Sequence, residues 1–159
     1  MTNTGSAHYN HFQAERINTI IAKSNIVSLS PNQSGSIIFL DPASVADNTN
    51  ITISLPPLGT DTRGDNTGLH FKFIVKSIST TNDTIIQSIN TNFQVTDLIY
   101  GSGDVNSSLI GTGETLRNKI TLNKNTYSRG DILDCVSDGS NWFFNWNIKS
   151  SGGISLTPT

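Results

Sequence analysis

The chain has little charge, a single cysteine and no long apolar run. Charged residues make up 14% of its 159 positions, and the formal net charge is −2. This balance argues against nucleic acid as a partner, because nucleic-acid binding depends on a basic surface. One cysteine excludes an intrachain disulfide. Since no apolar run reaches roughly twenty residues and no apolar signal segment follows Met1, we expect no membrane partner and synthesis in a cytosol.

The residues that are abundant, namely Ser, Thr, Asn, Gly and Ile, are typical of short β-branched strands joined by polar turns. From Ser24 onward the apolar residues recur with a period of two, and prolines and glycines separate the segments. The predicted strands are Asn25–Ser30, Ser36–Leu40, Asn50–Leu55, Leu69–Ile78, Thr84–Ile89, Thr96–Tyr100, Lys119–Asn123, Asp131–Ser137 and Asn141–Ile148. No helices separate them, so the pattern predicts an all-β fold, an antiparallel β-sandwich of jelly-roll type.

The two ends of the chain differ from the middle. The segment from His8 to Lys23 is the only one with partly helical spacing of apolar residues. It predicts a short, partly helical arm over residues 1–23 that orders against the domain, a sister subunit or a larger assembly, with a frayed terminus as the alternative. The β-sandwich domain then covers residues 24–148. Residues 149–159 form either a free tail or a strand that completes a neighbour's sheet.

The segment from Gly130 to Trp146 is the densest apolar stretch, and Asp138-Gly139 within it predicts a β-hairpin. A turn centred there places Cys135 opposite Trp142. One face of the hairpin is a core face, made of Leu133, Cys135, Trp142, Phe144 and Trp146. The other face is mixed, and we expect a subunit interface there that contains Ile132, Val136 and Phe143.

No catalytic or metal-binding grouping is legible, so we expect neither an enzyme nor a cofactor. Cys135 has no activating neighbour in the sequence and is interpreted as a small buried hydrophobic residue. His8 and His11 could share one helix face, but two imidazoles do not make a metal site. A polysaccharide hydrolase would need a pair of facing carboxylates that the sequence does not place.

Two Arg-Gly-Asp tripeptides offer a possible receptor contact. Arg63, Gly64 and Asp65 lie in a polar loop between two predicted strands, the exposed setting in which integrin-type receptors bind such a motif. The second copy, Arg129 to Asp131, lies at the entry to the hairpin, where a turn explains both Gly and Asp. Turn chemistry also accounts for the first copy, so both interpretations of it stay open.

Two parts of the chain together resemble small β-domains of virion proteins. The first is Ile53–Pro57 (ISLPP), a polar loop, and Gly68–Val75 (GLHFKFIV). The second is Gly130-Asp131 followed by Val136–Trp142 (VSDGSNW). A strand ending in LPP, a G-x-x-F-x-F-x-V strand and a closing GD…SDGxNW hairpin are similar to domains in phage tail and head fibres, and in minor capsid or decoration proteins of large DNA viruses.

The resemblance implies a homotrimeric β-sandwich that attaches to a capsid or tail or binds a host surface. We therefore expect a virion structural protein made in the host cytoplasm: a minor capsid, cement or decoration component that contacts the major capsid or another virion protein. The alternative is a receptor- or glycan-binding head of a viral fibre, with the loops Thr60–Thr67 and Gly101–Glu114 as its contact surface.

Overall fold

A computed structural model describes residues 18–58, 66–88, 98–104, 117–150 and 152–158. These residues form two β-sheets with a shared apolar core, so the predicted all-β sandwich is confirmed. Their only helical segments are two 3₁₀ turns, at Pro31–Gln33 and Pro42–Ser44. The strands are β1 (Thr19–Ala22), β2 (Ile26–Ser28), β3 (Ile37–Leu40), β4 (Ile51–Leu55), β5 (Thr67–Val75), β6 (Thr84–Ser88), β7 (Leu98–Asp104), β8 (Arg117–Leu122), β9 (Ile132–Asp138), β10 (Asn141–Asn147) and β11 (Ile154–Pro158).

Successive strands alternate between the two sheets over most of the chain. Sheet A has the order β1-β3-β5-β9-β10-β7, and sheet B has the order β11-β8-β6-β4-β2. Within sheet A, β1, β3 and β5 are parallel neighbours, and within sheet B, β2, β4 and β6 are parallel neighbours. The first six strands therefore wind back and forth between the sheets.

This winding corrects the expectation of antiparallel pairing throughout, as in a jelly roll. Parallel neighbours cannot be joined by a tight turn and need a crossover, which is usually a helix. Here each crossover contains a strand of the opposite sheet, and its described residues contain no helix other than a 3₁₀ turn. Antiparallel pairing is found in the second half, where β9 pairs with β5 and β10, and β8 pairs with β6 and β11. The exception there is β7, which is parallel to β10.

The core lies between the inner faces of the two sheets. Every second residue of β5, β9 and β10 points inward, as their alternating burial shows. Trp142 lies beside Phe71 with 6.0 Å between ring centroids, and Phe73 stacks on Phe144 at 6.4 Å. Trp142 and Trp146 are both buried, so the interpretation of the tryptophans as core residues is confirmed.

Both ends of the described chain take part in the sheets, unlike the predicted arm and tail. β1 is an edge strand of sheet A, so residues 19–22 are extended and the predicted helix is wrong there. Residues 1–17 lie outside the described part. β11 is an edge strand of sheet B and pairs with β8 of the same chain, so the C-terminal strand completes its own sheet. Both strands are short, and their partners are distant in sequence, which hid them from local pattern analysis.

The hairpin has the predicted faces but a different register. Phe144 lies opposite Cys135, and Trp142 opposite Ser137, where the sequence predicted Trp142 opposite Cys135. The two-residue turn is Gly139-Ser140, and Gly139 has φ 92°. The Asp138 carboxylate accepts hydrogen bonds from the backbone N–H groups of Ser140 and Asn141 and so fixes the turn one residue later. Each residue keeps its side of the sheet, because the shift changes partners by an even number of positions.

A charged network joins the ends of β3 and β5. The largely buried Asp41 carboxylate accepts hydrogen bonds from the Lys76 ammonium and the Ser77 hydroxyl, each at 2.6 Å. These contacts hold the pKa of Asp41 below its ordinary value, against the opposing effect of burial. The network therefore stabilises the fold only while Asp41 is ionised.

We predict that Asp41→Asn lowers the free energy of unfolding by about 2 kcal/mol near neutral pH, the usual contribution of hydrogen bonds to a charged group. Because the folded pKa is the lower one, the stabilisation is full above the ordinary aspartate pKa. It is lost as pH falls through the folded value. Urea unfolding at about pH 7 and about pH 3 should therefore show a smaller Asp41→Asn deficit at the lower pH.

The control is Asp47→Asn, which removes an exposed carboxylate that accepts a hydrogen bond from the Thr81 hydroxyl. Its unfolding midpoint should stay close to that of the wild type. An Asp41→Asn deficit of the same size at both pH values would contradict the assignment to an ionised carboxylate.

Candidate functional site

The outer face of sheet A, the face turned away from the core, is organised in three rows of side chains. Each row runs across the strands through directly paired residues, and rows are spaced by two residues, or about 7 Å. Row one contains Ile21, Phe39, Ile74, Ile132 and Asn147. Row two contains Thr19, Ile37, Lys72, Asp134 and Asn145. Row three contains His70, Val136 and Phe143.

Row one is apolar over four neighbouring strands, from β1 to β9. Ile21 is 48% exposed, and Phe39, Ile74 and Ile132 are each partly exposed. Directly opposed side chains on adjacent strands contact one another, so these four form a continuous apolar ridge about 15 Å long. A contiguous apolar surface on the outside of a filled sandwich is typical of an interaction site.

Ion pairs border the ridge on both sides. On the row-two side, the Lys72 ammonium lies 3.3 Å from the Asp134 carboxylate. On the other side, the Lys76 ammonium lies 2.6 Å from Asp41. An apolar centre with a charged rim is the arrangement that protein interfaces commonly have.

A hollow of about 620 Å³ lies at the opposite end of this face. Val136 and Phe143, directly paired on β9 and β10, are 46% and 41% exposed there. The outward-facing side chains around the hollow are Ile37, His70, Lys72, Asp134, Val136, Phe143 and Asn145. Its size lies within the range of small-molecule sites.

The three residues predicted for a subunit interface all lie on the outer face of sheet A, but not together. Ile132 belongs to the apolar ridge, whereas Val136 and Phe143 border the hollow. Rows one and three are separated by about 13 Å. The placement on one face agrees with the predicted mixed face of the hairpin, and their role as an interface stays a prediction.

Of the two Arg-Gly-Asp tripeptides, the structure describes only the second. Arg63, Gly64 and Asp65 lie outside the described residues. Asp131 is fully buried, and its carboxylate accepts hydrogen bonds from the backbone N–H groups of Ser128 and Lys149 at 2.6 and 3.1 Å. Gly130 has φ 85°, as the turn requires. The second tripeptide is therefore structural, because a receptor could not reach its carboxylate.

Cys135 lies in the core, as predicted. Burial raises the pKa of its thiol well above the ordinary value. A thiol kept protonated and away from solvent is a poor nucleophile and a poor metal ligand. Within the described ranges, no three His, Cys, Asp or Glu side chains lie close enough together to hold a metal ion.

The described part of the chain also contains no helix long and apolar enough to span a membrane.

Sequence reasoning missed most of the apolar ridge. The segments Ser36–Leu40 and Leu69–Ile78 were predicted as strands, but Phe39 and Ile74 were not identified as surface residues. Ile21 lies in the segment for which the sequence predicts a partly helical arm. The available signal was two runs without polar alternation, IIFL in β3 and FIV in β5, which indicate strands with apolar residues on both faces.

Comparison with protein-family models, with curated proteins and with solved structures finds no match for this chain. The resemblance to virion β-domains therefore depends on the sequence pattern alone, and the surface chemistry of sheet A has to be interpreted from its own residues.

We predict that Cys135 of the native protein does not react with a water-soluble thiol reagent near pH 8 and reacts fully once urea has unfolded the chain. The reason is the burial of the thiol and its raised pKa. A colorimetric disulfide-exchange assay measures both rates. Stoichiometric labelling of the folded protein within seconds would contradict the described packing around β9.

Proposed function

We propose that this protein is a virion structural protein, a minor capsid, cement or decoration component, which assembles as a homotrimer. The virion assignment rests on the LPP strand, the G-x-x-F-x-F-x-V strand and the SDGxNW hairpin, which resemble virion β-domains. The structural observation that carries the self-association is the apolar ridge on the outer face of sheet A. On this proposal the ridge is buried between copies.

The composition of this face favours a permanent contact between copies. Burial of the four ridge side chains stabilises an association, since a large aliphatic or aromatic side chain gains roughly 1.5–3 kcal/mol when fully buried. The neighbouring Lys72–Asp134 pair carries no net charge and does not oppose the approach of a second copy. Lys72 and Asp134 are about half-exposed and can re-pair across an interface.

The size of the face is also sufficient. Sheet A has six strands, which at about 4.8 Å per neighbour spread over about 24 Å. With strands of about 20 Å, the face measures roughly 500 Å² in plan, and its accessible area is larger because side chains project from it. That is of the order of the 800 Å² per partner that stable complexes bury.

The second candidate function is a receptor- or glycan-binding head. Two loops are proposed as its contact surface. Of the first, 60–67, the structure describes only the last two residues. Of the second, 101–114, it describes only residues 101–104, which belong to β7. The observation that favours this candidate is instead the hollow beside Phe143. The hollow is centred on row three and shares the Lys72–Asp134 pair with the rim of the ridge.

We predict that Ile21→Lys weakens self-association at least about tenfold, because the substitution places charge on the apolar ridge. The matched control is Ile26→Lys. Ile26 is an exposed isoleucine on β2, the edge strand of sheet B, as Ile21 is on β1 of sheet A. Light scattering on a sizing column, over a range of protein concentrations, gives the mass of each variant.

We expect the wild type and the Ile26→Lys variant to be trimers. The Ile21→Lys variant should dissociate on dilution. A monomeric wild type would reject the homotrimer. Equal dissociation of both variants would remove the ridge as the interface. Mass spectrometry of virions purified from the source tests the virion assignment separately, and absence of the chain from them would reject it.

A further inference from the structure

We propose that the hollow at the row-three end of sheet A binds a neutral carbohydrate, with Phe143 as the ring on which a sugar stacks. The inference goes beyond the structural role proposed above and does not depend on it. It rests on the shape of the hollow, on the exposed aromatic ring and on the polar groups that surround that ring.

Glycine shapes the hollow at the β3 side. Gly35 lies beside His70, and its N–H donates a hydrogen bond to the His70 carbonyl at 2.8 Å. A Cβ at Gly35 would lie 3.6 Å from the His70 ring. The position next to His70 therefore has no side chain to fill it, and the φ of 84° at Gly35 disfavours any other residue there.

The His70 ring is held in a defined position at this side. Its Nδ1 atom lies 3.4 Å from the Ser34 hydroxyl and 3.3 Å from the Gly68 carbonyl. The Ser34 hydroxyl also accepts a hydrogen bond from the His70 N–H at 3.1 Å. A ring fixed by such contacts offers a ligand its other nitrogen at little entropic cost.

The remaining groups form an amphipathic site. Phe143 and Val136 supply an apolar surface, and Asn145, two residues along β10 on the same face, supplies an amide with both donors and an acceptor. Asp134 is directly paired with Asn145 and forms an ion pair with Lys72. The hollow therefore combines an aromatic surface with donors and acceptors at its side.

This combination matches the chemistry of a sugar ring. A pyranose presents C–H groups on one face and hydroxyl groups along its edge. The C–H face can pack on Phe143, as apolar groups pack on aromatic rings. The hydroxyl groups can then reach the amide of Asn145, the Asp134 carboxylate and the His70 ring. A hollow of about 620 Å³ has room for a short oligosaccharide.

The charge balance of the hollow indicates which class of ligand it can bind. Lys72 and Asp134 lie 3.3 Å apart and compensate each other, so the hollow offers no excess of either sign to a charged ligand. A wholly apolar ligand would remove water from Lys72, Asp134 and Asn145 without replacing their hydrogen bonds, which is unfavourable. A neutral ligand with both apolar and hydroxyl faces avoids both costs.

The test is a titration of the isotope-labelled protein with glucose, galactose, mannose and N-acetylglucosamine, followed by amide chemical shifts. We expect saturable shifts with at least one of these sugars, centred on His70, Val136 and Asn145. Phe143→Ala should weaken that binding about tenfold, the loss of one aromatic contact. Phe143→Trp should retain binding, because the larger ring keeps the stacking surface.

Phe143→Leu separates stacking from general loss of structure, since it keeps an apolar side chain on β10 but removes the ring. It should bind as weakly as Phe143→Ala and melt at nearly the wild-type temperature. Ile78→Ala is the control, because Ile78 is an exposed apolar residue outside the hollow. Its affinity for the sugar should be unchanged.

Glucuronic acid is titrated as the charged comparison. Four results would overturn the proposal: no saturable shift with any of the four neutral sugars, shifts centred away from the hollow, binding unaffected by Phe143→Ala, or binding of glucuronic acid in preference to the neutral sugars. The mass of the protein is measured in the same samples. A monomer that binds sugar would reject the homotrimer and leave this inference standing, whereas a trimer that binds none would do the reverse.

Discussion

The pairing of β5 with β9 is the contact on which the rest of the structure depends. β5 ends the parallel winding of sheet A, and β9 begins the antiparallel hairpin. Their pairing joins the two halves of the chain in one sheet. Inward, it sets Phe71 and Phe73 against the hairpin aromatics and so builds the core. Outward, it sets Ile74 beside Ile132 and Lys72 beside Asp134, the central pairs of the surface face.

One consequence of this arrangement is that a single face contains two different surfaces. The Lys72–Asp134 pair belongs to both, because it borders the ridge and also lines the hollow. On one side of it, the ridge from Ile21 to Ile132 is apolar and suits a permanent protein contact. On the other side, Phe143 lies among polar groups in a hollow and suits a small amphipathic ligand.

The positions of most strands could be predicted from the sequence. Which strands pair with one another, and in which direction, could not. Period-two patterns located the strands from β2 to β10, because alternation is a local property of a half-buried strand. These patterns do not predict whether paired strands are parallel or antiparallel. The parallel pairing of β3 with β5 arises from a crossover through sheet B, which no local pattern predicts. The face of Val136 and Phe143 was predictable from hairpin geometry. The ridge was not, because it joins Ile21, Phe39 and Ile74 from strands whose adjacency is set by the winding.

The central claim is that the protein works through the outer face of sheet A. Hydroxyl-radical footprinting, read by mass spectrometry at low and high protein concentration, tests it most directly. The account predicts that oxidation of Phe39, Ile74 and Ile132 falls as the protein associates, while oxidation of Ile26 on sheet B does not change. Protection of Ile26 with no change along the ridge would contradict it, and would place the contact surface on the other sheet.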